Sequence, residues 1–399
     1  MENIENPNKN FRLPEPILCL MKRMRDQGEE IYLVGGSVRD FLLGGTPHDY
    51  DMTTSALPEK TMRVYSDHRV IQTGLQHGTV TVMLDGEPIE ITTFRIDGSY
   101  SDARHPDGVI FTRRVTEDLS RRDFTVNAMA YDPDTGLVDP FGGREDLERK
   151  ILRTVGDPIQ RFEEDALRIL RVFRFSAQLG FEIEENTLLG CQNSKDGLTK
   201  IAKERIASEF LKLLRSEHPK KALEAMIDCG VLSYVVSDEL PSARILEGLE
   251  QMPMTDSARL GFFFAETERE KAEKILREMK YSKKQITGAS AVIRGAKTTI
   301  ETPTDARYLI SSCGVYAEEA TIASMLLGNS SKEAVEWVRQ SKAPSKISDL
   351  AVSGRDLMAL GLTGKEVGYA LNELLRMVIE DPTKNEKEQL IKIIKRKSL

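Results

Sequence analysis

The stretch YLVGGSVRDFLLGGTPHDYDMTT, residues 32–54, decides how this chain is read. The apolar run Ile31–Val34 predicts a strand, Gly35-Gly36 a turn and Ser37–Leu43 a short helix. Beyond them Asp49 and Asp51 stand one residue apart on a segment, Asp49–Met52, expected to be extended. Alternate side chains of a strand share a face, so both carboxylates would point into one space. Like charges that close repel unless a divalent cation lies between them. The glycine turn leaves backbone amides free to approach an anion such as a phosphate. Arg39, on the first turn of the following helix, can reach the same anion. The pattern points to phosphoryl or nucleotidyl transfer. The plainer explanations are a polar turn capping the helix at Leu57 and a solvated surface arginine. His48-Asp49 also evokes a metal phosphohydrolase, but such sites usually need an earlier histidine and His48 is the first in the chain.

Around this stretch, residues 15–30 predict a helix ending at Gly28, and Leu57–Tyr65 predicts another. GTVTVML (78–84) and PIEITTF (88–94) alternate at period two, with Asp85-Gly86-Glu87 as the hairpin turn. Glu90 falls between Ile89 and Ile91, on the opposite face from both. It is the candidate third carboxylate of a two-metal site, unless it simply faces solvent. Residues 96–110 (IDGSYSDARHPDGVI) lack periodicity and are expected to form a mobile loop. Strands and helices interleaved over about 140 residues predict a compact head of mixed secondary structure. After Gly143 strand signals nearly vanish, and from about Glu163 the pattern is helical. Gly/Pro punctuation at 252–255, 301–304 and 343–345 divides that half.

The chain has 399 residues, enough for two to four domains. Its net charge of -7 excludes a bulk polycation, so any nucleic-acid binding must use a local basic surface. Cys19, Cys191, Cys229 and Cys313 form no metal-ligand spacing and read as reduced core residues of a cytoplasmic protein. The first ten residues are polar and no apolar run nears the roughly 18 residues needed to span a bilayer. Neither secretion nor membrane insertion is expected.

A second constellation lies at EEDALRILRVFRF (163–175). Asp165 and Arg168 are three apart on the expected helix and share a face, and Arg171 and Arg174 continue that spacing. Like charges so stacked cost roughly 0.2–0.5 kcal/mol per pair, which an anion alongside would offset. A wet surface salt bridge is the alternative, usually worth little. An ionised aspartate only accepts hydrogen bonds and arginine only donates. Cytosine and adenine each present an amino donor beside a ring acceptor, so an Asp/Arg pair facing the base matches both. Uracil and guanine reverse the pattern and would leave buried groups unpaired, at about 1–3 kcal/mol each. Between the two constellations, SRRDFTVNAMAYD supplies Arg121, Arg122, Asp123 and Asn127. They suit ribose hydroxyls and phosphates, or ordinary helix termini.

GGSVRD, HDYD, IEITTFR, RRDFTVNAMAYD, DPFGGREDLERKILRTVGDP, RFEEDALRILRVFRF and ERIASEF follow one another in order. The chain thereby resembles the class II tRNA nucleotidyltransferases, the CCA-adding enzymes of the DNA polymerase beta-like nucleotidyltransferase superfamily. The match is dense over about 30–215. It continues more loosely into SDLAVSGRDLMALGLTGKEVG, similar to the tail of the Bacillus-type enzymes.

The resemblance implies an α+β nucleotidyltransferase head (1–150) with a mixed sheet, then an all-α neck (151–215), body (216–300) and tail (301–399). It implies rebuilding of the 3′ CCA end of tRNA from CTP and ATP, with release of pyrophosphate. Asp49 and Asp51 would bind Mg²⁺. Gly36, Arg39 and Arg122 would hold the nucleotide's phosphates and sugar. Asp165 and Arg168 would read the base, Arg171 and Arg174 would complete the pocket, and Glu204 and Arg205 would support it. The tail would grip the tRNA elbow through phosphates, using the lysine-rich end from Lys392 to Lys397. No membrane partner is implied, and a homodimer is left open. CC-adding relatives are expected to lack the loop before RRDFT, so its presence argues against them. An A-adding enzyme would keep loop and motifs alike. Poly(A) polymerases share head and neck but carry a longer, more basic C-terminal region, and an inactive RNA-binding homologue would lack the full carboxylate set.

Overall fold

In the computed structural model, which describes residues 13–47, 49–72, 74–98, 108–237 and 239–397, Ile31–Val34 forms strand β1, buried along its whole length. That run is apolar on both faces because β1 lies inside a seven-stranded sheet. Helix α1 (Glu15–Arg25) precedes it and α2 (Gly36–Leu42) follows. Then come β2 (Met52–Thr54), α3 (Pro58–Val64), β3 (Arg69–Ile71), β4 (Thr79–Leu84) and β5 (Glu87–Thr93). Further on are β6 (Arg95–Asp97), β7 (Val109–Phe111), α4 (Val115–Ser120), β8 (Ala130–Asp132) and β9 (Gly136–Val138). The main sheet runs β3-β4-β5-β2-β1-β8-β9. Within it only β2 and β5 pair parallel, with Met52 beside Ile91 and Thr54 beside Thr93. Asp85 and Gly86 both adopt positive φ, as a two-residue β4–β5 hairpin requires.

Several expectations need correction. The strand expected at Asp49–Met52 starts only at Met52. The N-terminal helix stops at Arg25 rather than running to Gly28. Residues 96–110 were expected to be a loop throughout, yet Arg95–Asp97 pairs antiparallel with Val109–Phe111. Residues 99–107 lie outside the described residues, as does His48. Helix α5 (Gly143–Arg149) is followed by a short parallel pair, Ile151–Leu152 with Glu182–Ile183, so strand pairing persists beyond Gly143. The expected helix through EEDALRIL breaks in two, α6 (Pro158–Glu164) and α7 (Leu167–Leu179), with Asp165 extended between them. Helices α8 (Glu185–Ser194) and α9 (Lys203–Leu214) complete the region of interest. Cys191, Cys229 and Cys313 are buried and unpaired as expected, but Cys19 is exposed.

The chain divides into two compact units, residues up to Leu213 with Lys221–Val235, and Leu214–Lys220 with Val236 onward. The second unit is helical. One of its apolar clusters joins Ala291 and Ile300 to Leu309, Ala320 and Val338. Another gathers Leu357, Leu374, Val378, Leu390 and Ile394. Among the described residues no helix is long and apolar enough to cross a membrane.

In the first unit Gly143 opens α5 against the Thr125 carbonyl oxygen, where any Cβ would collide with backbone and press on Met129. Gly143→Ala is therefore expected to destabilise the protein by about 1–3 kcal/mol, as overpacking does. Thermal denaturation would read this as a midpoint several degrees lower, and an unchanged midpoint would contradict the packing described.

Candidate active site

The parallel β2–β5 register brings the acidic residues together. Met52 stands beside Ile91, so the residues that precede them, Asp51 and Glu90, lie close enough for the charge of Glu90 to act on Asp51. Glu90 is exposed, while its neighbours Ile89 and Ile91 are buried. The Val34 amide donates to the Asp51 carbonyl at 3.0 Å and fixes that backbone against β1. Surrounding protein raises the Asp51 carboxyl above the ordinary carboxylate value, and the charges of Glu90 and Asp49 push it the same way. Arg122 opposes them. The three carboxylates thus share an electrostatic space. Hard oxygen donors under mutual repulsion fit a divalent cation of the magnesium class. Among the described residues no group of three or more His, Cys, Asp or Glu side chains, this one included, is placed to hold a metal ion by itself. A cation here would need further oxygens, which suits magnesium, commonly held by one or two carboxylates plus substrate phosphates.

Beside the acids lies a cationic cradle. Gly35 adopts φ 70° ahead of α2, and a Cβ there would sit 3.0 Å from Arg122 Nη1. A Cβ on Gly36 would lie 3.5 Å from Arg39 Nη2. The glycine turn thus lets two guanidiniums approach its backbone. Arg39 donates from Nη1 to Asn127 Oδ1 at 2.7 Å, and from Nε and Nη2 to Asp40 Oδ1 at 2.9 and 2.8 Å. Fully buried Asp118 accepts from Arg121 Nε at 2.9 Å and from Thr53 Oγ1 at 3.2 Å, tying α4 to β2. It also draws Arg122 Nη2 to 3.7 Å. Arg122 Nε is buried without a hydrogen-bond partner among the described residues. Burial holds the Arg122 guanidinium below its usual range, although Asp118 works against that shift. A cation with an unmet buried donor is suited to a ligand anion.

Asp123 joins this cradle to α7. Its Oδ2 accepts from Arg171 Nε at 2.8 Å and Nη2 at 2.5 Å, and its Oδ1 from Asn127 Nδ2 at 3.2 Å and the Phe124 amide at 2.9 Å. Burial alone would raise the Asp123 carboxyl, but Arg171 and, further off, Arg168 bring it down to about 2. Arg174 donates from Nε to Glu209 Oε2 at 2.6 Å and from Nη1 to Gln178 Oε1 at 2.7 Å.

The expected Asp165/Arg168 pair is not a mutual salt bridge. Asp165 Oδ1 accepts the Leu167 amide at 2.9 Å, and its Oδ2 accepts Arg205 Nη2 at 2.9 Å. Arg168 pairs with Glu164 and donates to the Arg161 and Arg121 carbonyls at 3.1 Å each. Both remain partly accessible, and each keeps hydrogen-bonding capacity for a further partner. Of the two residues expected to support the pocket from α9, Arg205 donates to Asp165 and Glu204 is exposed. Sequence reasoning missed Glu209, gave Glu164 no role within its constellation, and did not anticipate that Asp123 holds Arg171. Glu209 had a legible signal, since it interrupts the buried stripe Ile206, Phe210 and Leu213 of α9. Few carboxylates are buried without a cationic partner.

Residues 31–153 match the family model described as the poly A polymerase head domain. Residues 180–242 match the family model described as "Probable RNA and SrmB-binding site of polymerase A", and 258–394 match the one described as "tRNA nucleotidyltransferase domain 2 putative". The CCA-adding enzyme of Limosilactobacillus fermentum is 37% identical over 385 residues, covering 95% of this chain and 96% of its own length. The chain belongs to the CCA-adding enzymes. Another CCA-adding enzyme, from Bacillus cytotoxicus, is 35% identical over 383 residues, 93% of this chain and 96% of its own. The crystal structure of the Bacillus stearothermophilus CCA-adding enzyme in complex with CTP superposes with a TM-score of 0.82 at 30% identity, covering 97% and 99% of the two chains. The Thermotoga maritima CCA-adding enzyme, 22% identical with a TM-score of 0.70, shares the fold.

The Asp123 shift has a direct pH consequence. Its folded value of about 2 lies below the ordinary value of 3.8, so its contribution to stability is complete above about pH 4 and lost as pH falls through 2. Asp123→Asn is expected to remove about 2 kcal/mol or more at neutral pH, because it also strips Arg171 of its counterion. Urea midpoints of wild type and variant should converge below pH 3. A constant gap from pH 7 to 2 would show that the ionised pair contributes nothing.

Proposed function

We infer that this protein adds C, C and A to the 3′ end of tRNA, taking CTP and ATP without a nucleic-acid template and releasing pyrophosphate. The observation that carries the reading is the closeness of Asp51, Glu90 and Asp49, next to a glycine turn lined by Arg39 and Arg122. Whole-length relatives named CCA-adding enzymes favour it over poly(A) tailing.

Asp49 and Asp51, with Glu90 assisting, would hold Mg²⁺, which lowers the pKa of an attacking hydroxyl and stabilises a pyrophosphate leaving group. The remaining work falls to this chain's own groups. Arg39 and Arg122 would cradle the triphosphate beside Gly36, Arg122 offering its unpartnered Nε. Asp165, steadied by Arg205, would accept from the exocyclic amine of the base, while Arg168, steadied by Glu164, would donate to the ring nitrogen. This arrangement admits cytosine and adenine and leaves uracil and guanine with unpaired polar groups. Arg171 and Arg174 would line the same pocket through their contacts with Asp123 and Glu209. The four-part division at about residues 150, 215 and 300 belongs to this reading, as does a cytoplasmic location. In the tail, exposed Lys392 and Lys395 would meet tRNA phosphates.

The test is extension of tRNAs ending before CCA, after one C and after CC, with Mg²⁺ and each nucleotide singly or CTP with ATP. Growth of all three to the complete end is expected. Extension of the CC-ended tRNA alone would indicate an A-adding enzyme, and long A ladders a poly(A) polymerase. Asp49→Ala should lower turnover by about a thousandfold or more while tRNA affinity stays within a few fold. Substantial residual turnover would count against the metal role. Arg168→Ala should relax discrimination against UTP and GTP by about tenfold or more, with little change in RNA affinity. Unchanged base preference would refute that assignment.

A further inference from the structure

Three guanidiniums converge on one phenyl ring. Arg174 lies 3.9 Å from the Phe175 ring centroid, Arg171 5.3 Å and Arg39 5.4 Å. Phe175 is only 8% exposed, and its ring meets that of Phe124 edge-on at 5.5 Å. Each cation has its own carboxylate: Asp40 for Arg39, Asp123 for Arg171 and Glu209 for Arg174. What the three share is the ring, whose negative face attracts guanidinium.

These contacts close a circuit. Arg39 donates to Asn127, Asn127 donates to Asp123, and Asp123 accepts from Arg171. Arg171 and Arg39 then meet again at Phe175. Arg39 belongs to α2 beside the glycine turn, and Arg171 to α7 beside the base-reading residues. Along the polar side of the circuit three hydrogen bonds in series separate the two arginines. On the apolar side a single side chain does so. An aliphatic residue could fill that volume, but it would place no negative potential between mutually repelling cations.

We propose that Phe175 is a positioning residue that holds Arg39 and Arg171 in a fixed spacing, ready for the triphosphate, through cation–π contact rather than packing alone. The role rests on the nucleotidyl-transfer reading above. Because Arg39 stands at the glycine turn assigned to the phosphates, which both nucleotides share, Phe175 serves CTP and ATP alike.

The experiment replaces Phe175 in the full-length protein with phenylalanines of increasing ring fluorination, which keep the shape while weakening and then reversing the ring's quadrupole. Wild-type extension of tRNA tests the nucleotidyl-transfer reading, and inactivity there would sink that reading by itself. Given an active wild type, KM for CTP and for ATP should rise together in step with fluorination, reaching about fivefold or more, with kcat within about twofold and an unchanged thermal midpoint. Phe175→Leu should behave like the most fluorinated ring if it folds, and the fluorinated series decides the matter if it does not. A KM independent of fluorination would overturn the proposal, and so would a change confined to one of the two nucleotides.

Discussion

The pair formed by Asp123 and Arg171 is the constraint on which the candidate site depends. Asp123 is buried and Arg171 half-buried, and an ion pair drawn from water in this way adds little net stability when its desolvation is counted. What it supplies is position. One carboxylate receives two arginine donors, an asparagine amide and a backbone amide, so neither partner can move without stranding the other. The consecutive residues Arg122 and Asp123 thereby turn opposite ways. Arg122 feels the charge of Asp51, while Asp123 grips Arg171 of α7.

Charge in this region is locally balanced but not saturated. Burial lowers both Arg122 and Arg174 from their usual values despite nearby acids, and Asp51 is raised by burial first and then by Glu90 and Asp49. A cluster of cations short of anions therefore stands close to a cluster of anions short of cations. A metal–triphosphate complex carries both missing charges in a suitable arrangement.

Much of this was legible in residues 32–54. The apolar run of β1, the glycine turn and the paired aspartates each carry a local signal, and the alternation around Glu90 placed it on the correct face of β5. The break before α7 was not legible, because Asp165 and Ala166 sit within a pattern that is helical throughout. The kink arises where Asp165 turns its carboxylate toward Arg205, 40 residues away in sequence. The β6–β7 pairing escaped for a similar reason, since three-residue strands carry too little periodicity to stand out. Glu209 announces a buried carboxylate within its own helix, but its pairing with Arg174 and the place of Phe175 are set by how α7 and α9 pack, which no local window contains.

The parallel pairing of β2 and β5 bears on how such a protein can change over evolutionary time. Because neighbouring backbones fix the position of Asp51 relative to Glu90, the loop segments of the intervening crossover, 55–57 and 65–68, could be lengthened with little effect on that spacing. A single residue inserted within Met52–Thr54 or Glu87–Thr93 has the opposite effect. It would turn one carboxylate to the far face of the sheet and separate the pair at once. Tolerance and vulnerability are thus divided by strand boundaries rather than by distance along the chain.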